Sequence, residues 1–329
     1  MRDHGGNLDW AIDRWGGSVG EWIDLSTGIN PVAYPVPGIS PRAWSVLPTR
    51  ADLAGLCEAA RAAYGTDAEV LPVAGASAAI QMVPQMVSAG VVRVLGPTYN
   101  EHAASFAAAG WQVEEISDFA ALAGAEAAVV VNPNNPDGRF WTPEVLRDLA
   151  RDVGLLVVDE SFVDPEPALS LVGDVPDNVL ILRSFGKFYG LAGLRLGFVL
   201  GSGMMVERMA ALAGPWPVSG LAIEVGRLAL SDEAWRAETV LRLREDAVRL
   251  DALAMSAGWS LVGGTVLFRL YDVADAAAVQ VGLAERQVWS RVFPYATNWV
   301  RLGLPGPKDW DRLEQAITRC CAAWRRRGG

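Results

Sequence analysis

The stretch "LRSFGKFYGLAGLRLGF", residues 182–198, decides how the chain folds around its chemistry. Its single lysine, Lys187, follows an apolar run typical of a β-strand, with Ser184 before it and Arg195 after it. Most lysines are surface residues, but the glycines here permit close backbone approach. Hydroxyl and guanidinium groups bind phosphate, and a desolvated lysine can form a Schiff base. The stretch therefore predicts a phosphate-bearing carbonyl ligand.

Short apolar runs alternate with helical patterns on both sides of this stretch. Continuous apolar strands between helices indicate an α/β domain whose mostly parallel sheet is buried on both faces. We place this large domain at residues 45–215. The predicted strands are "EVLPVAG", "VVRVLG", "WQVEEI", "EAAVVVN", "GLLVVDE", "NVLILRS" and "LRLGFVLG", and the predicted helices include "SAAIQMVPQMVSA" and "NEHAASFAAAG".

The remaining chain, residues 1–44 and 216–329, predicts a smaller α+β domain that includes the N-terminal segment. Residues 1–49 are rich in Gly, Pro and Trp and predict little regular structure. A long helical pattern over residues 232–257 precedes the strand-like runs "SLVGGTVLFRLY", "QVWSRVF" and "NWVRLGL". The last helix is predicted to place four apolar residues on one face. They are Leu313, Ile317, Cys320 and Trp324.

Composition narrows the classes of function. The chain has 329 residues and a net charge of −10, which argues against binding to nucleic acid or to an anionic membrane. It has three cysteines without metal spacing, and no apolar segment typical of a signal peptide or a membrane span. A cytoplasmic, reducing compartment is expected. His4 and His102 are its only histidines, so no metal site is predicted.

Three further motifs follow predicted strands, where ligands of α/β sheets bind. "AGAS" (Ala74–Ser77) opens a helix whose free N–H groups suit an anion, although a tight turn at Gly75 is favoured when the motif is taken alone. "NPNNPDG" (132–138) is either a polar platform or a simple turn. "VVDE" ends a strand at Asp159 and Glu160, and the aspartate either caps a turn or meets a ligand. Together the motifs suit pyridoxal phosphate, which has a phosphate, a carbonyl, a ring nitrogen and a flat face.

With these motifs in this order, the chain resembles the fold-type I pyridoxal-phosphate enzymes, the class I/II aminotransferases and their relatives. "DHGGN" and "WIDLSTGINP" narrow the resemblance to the cobalamin-biosynthetic L-threonine-O-3-phosphate decarboxylases, whose kin are histidinol-phosphate aminotransferases. The resemblance implies a fold-type I transferase architecture and bound pyridoxal 5'-phosphate. It also implies a homodimer with shared active sites.

The resemblance assigns roles to residues of the cofactor site. Lys187 carries the cofactor, Asp159 pairs with its ring nitrogen, Asn135 donates to its ring hydroxyl, and Tyr99 stacks on its ring. Four residues hold the phosphate, and a fifth reaches the phosphate of the neighbouring subunit. The four are Ala76, Ser77, Ser184 and Arg195, and the fifth is Tyr64.

The resemblance also assigns residues to the substrate. Arg301, in "NWVRLGL", clamps the α-carboxylate, and Arg291 matches a second arginine for a substrate anion. His4 and Asn30 line the substrate end of the site. The expected substrate is therefore a phosphorylated amino acid.

One position departs from the aminotransferase pattern. Histidinol-phosphate aminotransferases carry a tyrosine three residues after the aspartate, where this chain has Phe162. The missing phenol favours a lyase that decarboxylates L-threonine O-3-phosphate to (R)-1-amino-2-propanol phosphate. An aminotransferase acting on a substrate such as histidinol phosphate is the alternative. A pyridoxal-phosphate-binding protein without turnover is a third hypothesis, against which the intact Lys187, Asp159 and Arg301 argue.

Overall fold

The computed structural model describes residues 4–328 of the chain. The helices are α1 (Leu8–Trp15), α2 (Pro41–Ser45), α3 (Arg50–Tyr64), α4 (Ala76–Met82), α5 (Glu101–Ala108), α6 (Pro143–Arg151), α7 (Phe185–Phe188), α8 (Gly203–Ala213), α9 (Gly220–Ser231), α10 (Glu233–Ser256), α11 (Ala276–Ala284) and α12 (Trp310–Gly328). The strands are β1 (Ile23–Asp24), β2 (Glu69–Val73), β3 (Val91–Leu95), β4 (Gln112–Ile116), β5 (Ala127–Val131), β6 (Leu155–Asp159), β7 (Val179–Ser184), β8 (Gly197–Gly201), β9 (Ser260–Thr265), β10 (Phe268–Asp272), β11 (Val288–Trp289), β12 (Arg291–Phe293) and β13 (Ala296–Gly303).

The chain divides into two compact units. The large unit comprises Tyr34–Asn135 and Arg139–Ala237. The small unit comprises the chain up to Ala33, the segment Pro136–Gly138, and the chain from Glu238 onward. The domain boundaries predicted from the sequence, at residues 45 and 215, stay a prediction.

The large unit is built on a seven-stranded sheet with the strand order β2-β8-β7-β6-β5-β3-β4. Neighbours from β7 to β4 are parallel, whereas β8 is antiparallel to both β7 and β2. One strand of the seven therefore runs against the rest. The predicted α/β class with a mostly parallel sheet is confirmed, and the reversed direction of β8 is a detail that the sequence pattern did not reveal.

The central strands are apolar because helices cover both faces of the sheet. Every residue of β5 and β6 is buried, which explains why these strands are continuous apolar runs rather than alternating ones. The register pairs Val131 with Asp159 and Asp159 with Leu182. The carboxyl ends of β5, β6 and β7 consequently lie side by side, and the loops that follow them emerge at one edge.

Three local features differ from the sequence prediction, each for a physical reason. α4 ends at Met82 and continues as a 3-10 turn, because Pro84 has no N–H to extend the helix. β8 begins only at Gly197, because Arg195 adopts a left-handed backbone with φ of 54°. The expectation of little regular structure in residues 1–49 is wrong, since α1 and α2 lie there. α2 forms because the Ser40 hydroxyl caps its start and Pro41 suits the first helical position.

The small unit contains an antiparallel sheet with the order β12-β13-β10-β9 and a short parallel pair, β1 with β11. The run "SLVGGTVLFRLY" forms two paired strands, β9 and β10, rather than one. Leu313 and Ile317 of α12 are buried as expected, whereas the side chains of Cys320 and Trp324 lie outside the described part.

None of the described helices is long and apolar enough to cross a membrane. Within the described part of the chain, no cluster of three or more His, Cys, Asp or Glu side chains could hold a metal ion.

Candidate active site

The predicted cofactor residues of the large unit gather at the carboxyl edge of its sheet. Asn135 follows β5, Asp159 is the last residue of β6, and Ser184 is the last residue of β7. Lys187 lies three residues beyond Ser184, in the single turn of α7. Because these strands are parallel neighbours, side chains from three separate sequence motifs meet at one edge.

Asp159 is a buried carboxylate held by three hydrogen bonds. The His102 ring Nε2 lies 2.8 Å from Asp159 Oδ2, and Ser161 donates to Asp159 Oδ1 through its backbone N–H and its hydroxyl. Burial alone raises the pKa of Asp159, but the bond and charge of His102 and the bonds from Ser161 more than offset this. The pKa of Asp159 is therefore held below its usual value. An ionised carboxylate at this position suits a protonated ring nitrogen.

The start of α4 forms a cradle for an anion. Gly75 precedes the helix with φ of 80°, and a Cβ there would lie 2.6 Å from Arg195 Nη2. The positive φ favours glycine at this position, and the absence of a Cβ leaves room for the guanidinium to approach. The first-turn N–H groups of Ala76 and Ser77 and the charge of Arg195 are thus brought together, which suits a phosphate.

Ser184 and Tyr99 lie close to this cradle. In the sheet, Ser184 is opposite Gly197, and Gly197 is opposite Val73, three residues before Ala76. The Tyr99 hydroxyl shares a hydrogen bond with Ser77, and burial, followed by nearby carboxylates that include Asp159, raises the pKa of Tyr99. Tyr99 therefore connects the anion cradle with the carboxylate of β6.

Arg195 is held in an uncommon backbone conformation. Its φ of 54° and ψ of 48° are left-handed, a region that non-glycine residues enter at a cost of about 1–2 kcal/mol. Its guanidinium also donates to the Ala192 carbonyl at 3.1 Å. Such strain persists only where the surroundings fix it, and it is common at ligand sites.

Lys187 is half-buried, and its Nζ lies 5.6 Å from the centre of the Phe162 ring. The ring face offers a weak attraction to an ammonium group without donating or accepting a conventional hydrogen bond. Phe162 itself is buried. The departure from tyrosine noted in the sequence therefore lies directly beside the lysine.

Asparagines of the "NPNNPDG" loop fix its shape. The buried Asn132 side chain bonds the backbone of Trp141 in both directions, and Asn134 accepts from Thr98 and donates to the Pro97 carbonyl. Since Asn134 holds the segment that leads to Tyr99, Asn135 and Tyr99 belong to one fixed surface.

Tyr64 packs over a buried ionic network of its own unit. The Arg183 guanidinium lies 4.3 Å from the centre of the Tyr64 ring and pairs with both Glu160 and Asp164. Burial raises the pKa of Glu160 despite the opposing charge of Arg183. The network joins the ends of β6 and β7. The role predicted for Tyr64 toward a neighbouring subunit stays a prediction.

The small unit carries the predicted substrate arginines on adjacent strands. Arg291 of β12 is directly opposite Arg301 of β13. Arg301 is buried, and burial followed by the charge of Arg291 lowers the pKa of Arg301 to about 10. Arg301 thus stays charged at neutral pH, although like charges opposite each other destabilise a sheet. This arrangement suits an anionic ligand that binds both.

Ser26 connects the N-terminal segment to Arg301. The Ser26 carbonyl accepts from Arg301 Nη2 at 2.6 Å, and the Ser26 hydroxyl accepts from the Gly6 N–H at 2.7 Å. A Cβ at Gly5 would lie 2.3 Å from the Ser26 carbonyl oxygen, so glycine is required for this approach. His4, which is exposed, adjoins this tethered segment.

Two residues of the site were missed by sequence reasoning. His102 was considered only in the argument that the chain has no metal site, and Ser161 was not considered. The sequence did contain a signal for His102, because His102 lies three residues after Tyr99. Both residues are therefore close to the start of the same helix, α5. Nothing in the sequence pattern paired it with Asp159, 57 residues away.

Comparison with known proteins places the chain in a family. Residues 46–319 match the model of aminotransferase class I and II. The chain therefore belongs to the class I and II aminotransferase family, and it is a pyridoxal-phosphate-dependent enzyme. The predicted family and cofactor are confirmed.

Particular relatives narrow the resemblance. The chain is 42% identical to a threonine-phosphate decarboxylase of a Sinorhizobium species and 40% identical to one of Pseudomonas aeruginosa, in each case over 96% of this chain and 97% of the relative. It is 30% identical to a histidinol-phosphate aminotransferase of Mycobacterium bovis over 79% of this chain and 74% of the relative.

A solved structure supports the fold. The histidinol-phosphate aminotransferase of Sinorhizobium meliloti, in complex with pyridoxal-5'-phosphate, superposes with a TM-score of 0.83 at 17% identity. The superposition covers 98% of this chain and 96% of that one. The predicted fold-type I architecture is confirmed.

The residues at the sheet edge fit the cofactor. The glycine-backed cradle beside Arg195 suits its phosphate, the ionised Asp159 suits its ring nitrogen, and Lys187 supplies an amine. When bound, the cofactor supplies an electron sink for the bond that breaks at Cα. The role of each individual residue toward it stays a prediction.

Proposed function

We propose that this enzyme decarboxylates L-threonine O-3-phosphate to (R)-1-amino-2-propanol phosphate, a step of cobalamin biosynthesis. The opposed pair Arg291 and Arg301 carries the proposal. Two guanidinium groups on adjacent strands suit a substrate with two anionic groups, a carboxylate and a phosphate. The threonine-phosphate decarboxylases, which are similar over nearly the whole chain, support it.

The chain's own residues divide the work of this reaction. Asp159 keeps the ring nitrogen protonated, because its carboxylate is ionised within a buried site. Lys187 would hold the cofactor through its amine and would supply the proton that Cα takes up when the carboxylate leaves as carbon dioxide. Arg301 and Arg291 would hold the two substrate anions and so fix the substrate in one pose. Fixing one pose in this way selects which bond breaks.

Transamination of a phosphorylated substrate such as histidinol phosphate is the second candidate. The histidinol-phosphate aminotransferase relative supports it, at lower identity and coverage. Both reactions use Lys187 and Asp159, so those residues do not decide between them. Phe162 beside Lys187 favours the decarboxylase, because the phenol of the aminotransferases is missing there.

Product analysis under single-turnover conditions tests the proposal. The enzyme is mixed with L-threonine phosphate, first without and then with a keto-acid acceptor. We expect release of carbon dioxide, retention of the amine in the product, and no dependence on the acceptor. Accumulation of pyridoxamine phosphate without carbon dioxide would show an aminotransferase. No turnover of any amino acid would favour the binding protein without turnover.

We further propose a cytoplasmic homodimer with shared active sites. The large unit exposes an apolar patch, which we call the tryptophan patch. It consists of Trp44, Val46, Leu47 and Trp216. Trp44 is 70% and Trp216 is 52% exposed, and both line an open groove of about 620 Å³ to which Arg195 also belongs. A large exposed apolar patch marks an interface. A second copy covering it would adjoin the predicted phosphate site, and the family resemblance assigns the Tyr64 of that copy to this phosphate.

A further inference from the structure

The helical turn α7 carries Lys187 between two stacked aromatic rings. Phe185 and Tyr189 are buried, and their rings stack with centres 4.3 Å apart and an interplanar angle of 11°. Residues four apart share one side of a helical turn, so these rings mark the buried side of α7. Lys187 lies halfway between them in the sequence and hence on the opposite side of the turn. Its Nζ lies 5.6 Å from the centre of the Phe162 ring.

Trp235, in the first turn of α10, packs against the buried side of α7. Its ring stacks on Tyr189 with centres 5.6 Å apart and an interplanar angle of 11°. Phe188 lies edge-on to both Tyr189 and Trp235, with ring centres at 5.2 and 5.7 Å. Stacked and edge-on contacts are the arrangements that aromatic pairs prefer. We call Phe185, Phe188, Tyr189 and Trp235 the aromatic cluster.

Trp235 is held at both its backbone and its ring. Asp232 precedes α10, and its Oδ1 accepts from the Trp235 backbone N–H at 3.0 Å, as the side chain of a helix N-cap does. The Tyr34 ring lies edge-on to Trp235 at 5.2 Å, and the Tyr34 hydroxyl donates to Asp232 Oδ2 at 3.3 Å. The Tyr34 backbone N–H donates to the Tyr189 carbonyl at 2.9 Å. Asp232 and Tyr34 thus fix the tryptophan against α7.

A backbone contact restrains the same turn at Gly186. A Cβ at Gly186 would lie 2.7 Å from the Cα of Ala192, so α7 packs directly on the segment that leads to Arg195. The turn is therefore restrained twice, by this segment beside the predicted phosphate cradle and by the aromatic cluster. Of these two restraints, only the aromatic cluster depends on side chains that can be replaced without altering the cradle.

We propose that Trp235 is a positioning residue that holds α7, and with it the Lys187 amine, in place for the cofactor. The proposal rests on the role that the proposed function gives to Lys187. Trp235 acts through Tyr189 and the turn that follows Ser184. An amine that is already held in place reacts with a carbonyl group without first losing conformational freedom.

A purely structural role of Trp235 makes a different prediction. If the aromatic cluster only stabilises the fold, its loss lowers the thermal midpoint and leaves Lys187 unchanged well below that temperature. If the cluster positions α7, the turn opens locally more often while the rest stays folded, and the amine becomes more accessible. Lys308 is exposed and lies in the small unit, so its reactivity serves as an internal reference.

Competitive labelling with trace acetic anhydride measures both lysines in one sample. The full chain without cofactor is labelled well below its thermal midpoint, and peptide mass spectrometry gives the rates at Lys187 and Lys308 separately. We expect Trp235→Leu to raise the rate at Lys187 about three- to tenfold, the value of one aromatic contact, and to leave Lys308 unchanged. Trp235→Phe keeps a ring on Tyr189 and should stay within about twofold of the wild type. Equal rises at both lysines, or no rise at Lys187, overturn the proposal.

A titration with pyridoxal phosphate measures the consequence for the cofactor. Trp235→Leu should bind it about three- to tenfold more weakly than the wild type, because the amine is no longer held in place. Trp235→Phe should again resemble the wild type. A raised labelling rate with unchanged cofactor affinity would show that the position of α7 does not matter to the cofactor, and it overturns the proposal.

Asp232→Ala keeps the test valid if Trp235→Leu does not fold, because it leaves every ring of the aromatic cluster in place. It removes the bonds to the Trp235 backbone and to the Tyr34 hydroxyl, so the labelling rate at Lys187 should rise about threefold. An unchanged rate overturns the proposal. The control is Trp259→Leu, at a buried tryptophan of the small unit that packs on Tyr271. It should lower the thermal midpoint without changing the rate at Lys187, and an equal rise there also overturns the proposal.

Failure of the proposed reaction is recognised separately, because the labelling and the titration need no substrate. A wild type that holds the cofactor on Lys187 but does not decarboxylate L-threonine phosphate contradicts the proposed function alone. The expected response of Lys187 to Trp235→Leu then still supports the positioning role.

Discussion

At the scale of single residues, the pair of His102 and Asp159 sets the charge of the site. Burial opposes the ionised form of Asp159, and the bond and charge of His102 restore it. The pKa of Asp159 in the folded protein lies below its usual value. Ionised Asp159 therefore contributes stability to the folded protein, and this stability is fully present above the usual pKa. It is lost as the pH falls through the pKa of the folded protein.

We expect His102→Leu to weaken cofactor binding about 10- to 100-fold, since a bond to a charged group is lost. Without His102 the effect of burial dominates, so the pKa of Asp159 rises. The loss of cofactor affinity at low pH, which forms the acid limb of the pH profile, should then occur at a higher pH. Cofactor dissociation constants across a pH series measure this shift. His102→Gln retains a donor and should shift the limb less. An unchanged acid limb in His102→Leu would show that Ser161 alone keeps Asp159 ionised.

The attachment of the cofactor to Lys187 can be tested directly, because the chain has only one other lysine, Lys308. We expect borohydride reduction of the holoenzyme to fix the cofactor on a peptide containing Lys187. Lys187→Ala should remove the label while leaving the thermal midpoint of the apoprotein within a few degrees. Label on Lys308 in the wild type would refute the assignment.

Sequence reasoning at this scale found residues that belong to local motifs. Lys187 and Asp159 stand out because each follows an apolar strand. His102 did not, since its significance depends on a contact between α5 and the end of β6 that no local pattern contains.

At the scale of elements, paired strands bring two like charges together. β12 and β13 place Arg291 opposite Arg301, and burial lowers the pKa of Arg301 to about 10. The strand pattern of the large unit was predictable because buried parallel strands are continuous apolar runs. The order of the pairing partners was not predictable, because it depends on residues that are distant in the chain. The hairpin of β9 and β10 is local but was also missed, because its two turn residues, Val266 and Leu267, are not typical of a turn.

We expect Arg291→Gln to weaken substrate binding and to stabilise the folded protein. Catalytic efficiency with L-threonine phosphate should fall about 10- to 100-fold, since a charge-assisted bond is lost, and much less with L-threonine. Relief of the repulsion with Arg301 should raise the free energy of unfolding by about 0.2–1 kcal/mol. Kinetics with both substrates and thermal unfolding measure the two effects. Equal losses for both substrates would mean that Arg291 binds something other than the phosphate.

At the scale of the whole molecule, exposed apolar surface indicates association. Scattered apolar residues are normal on a protein surface. The tryptophan patch is different, because its members line one groove together with Arg195 of the predicted phosphate site. A second copy that covers this groove would therefore affect cofactor binding as well as mass. The family resemblance implied a homodimer with shared active sites, but the patch itself was not visible in the sequence, where Trp44 and Trp216 are separated by most of the large unit.

We expect the double variant Trp44→Glu, Trp216→Glu to separate the subunits. Buried charge at an apolar interface is costly unless it is paired, so the dimer should dissociate. Sedimentation velocity should show the wild type at twice the 35.2 kDa chain mass and the variant at the chain mass. Cofactor affinity should fall with it, because the Tyr64 of a second copy is then absent from the phosphate site. Val248→Glu, at a position 70% exposed in the small unit, is the control and should remain dimeric with wild-type affinity. A fully active monomer, wild type or variant, would contradict the shared sites, and a dimeric variant would place the interface elsewhere.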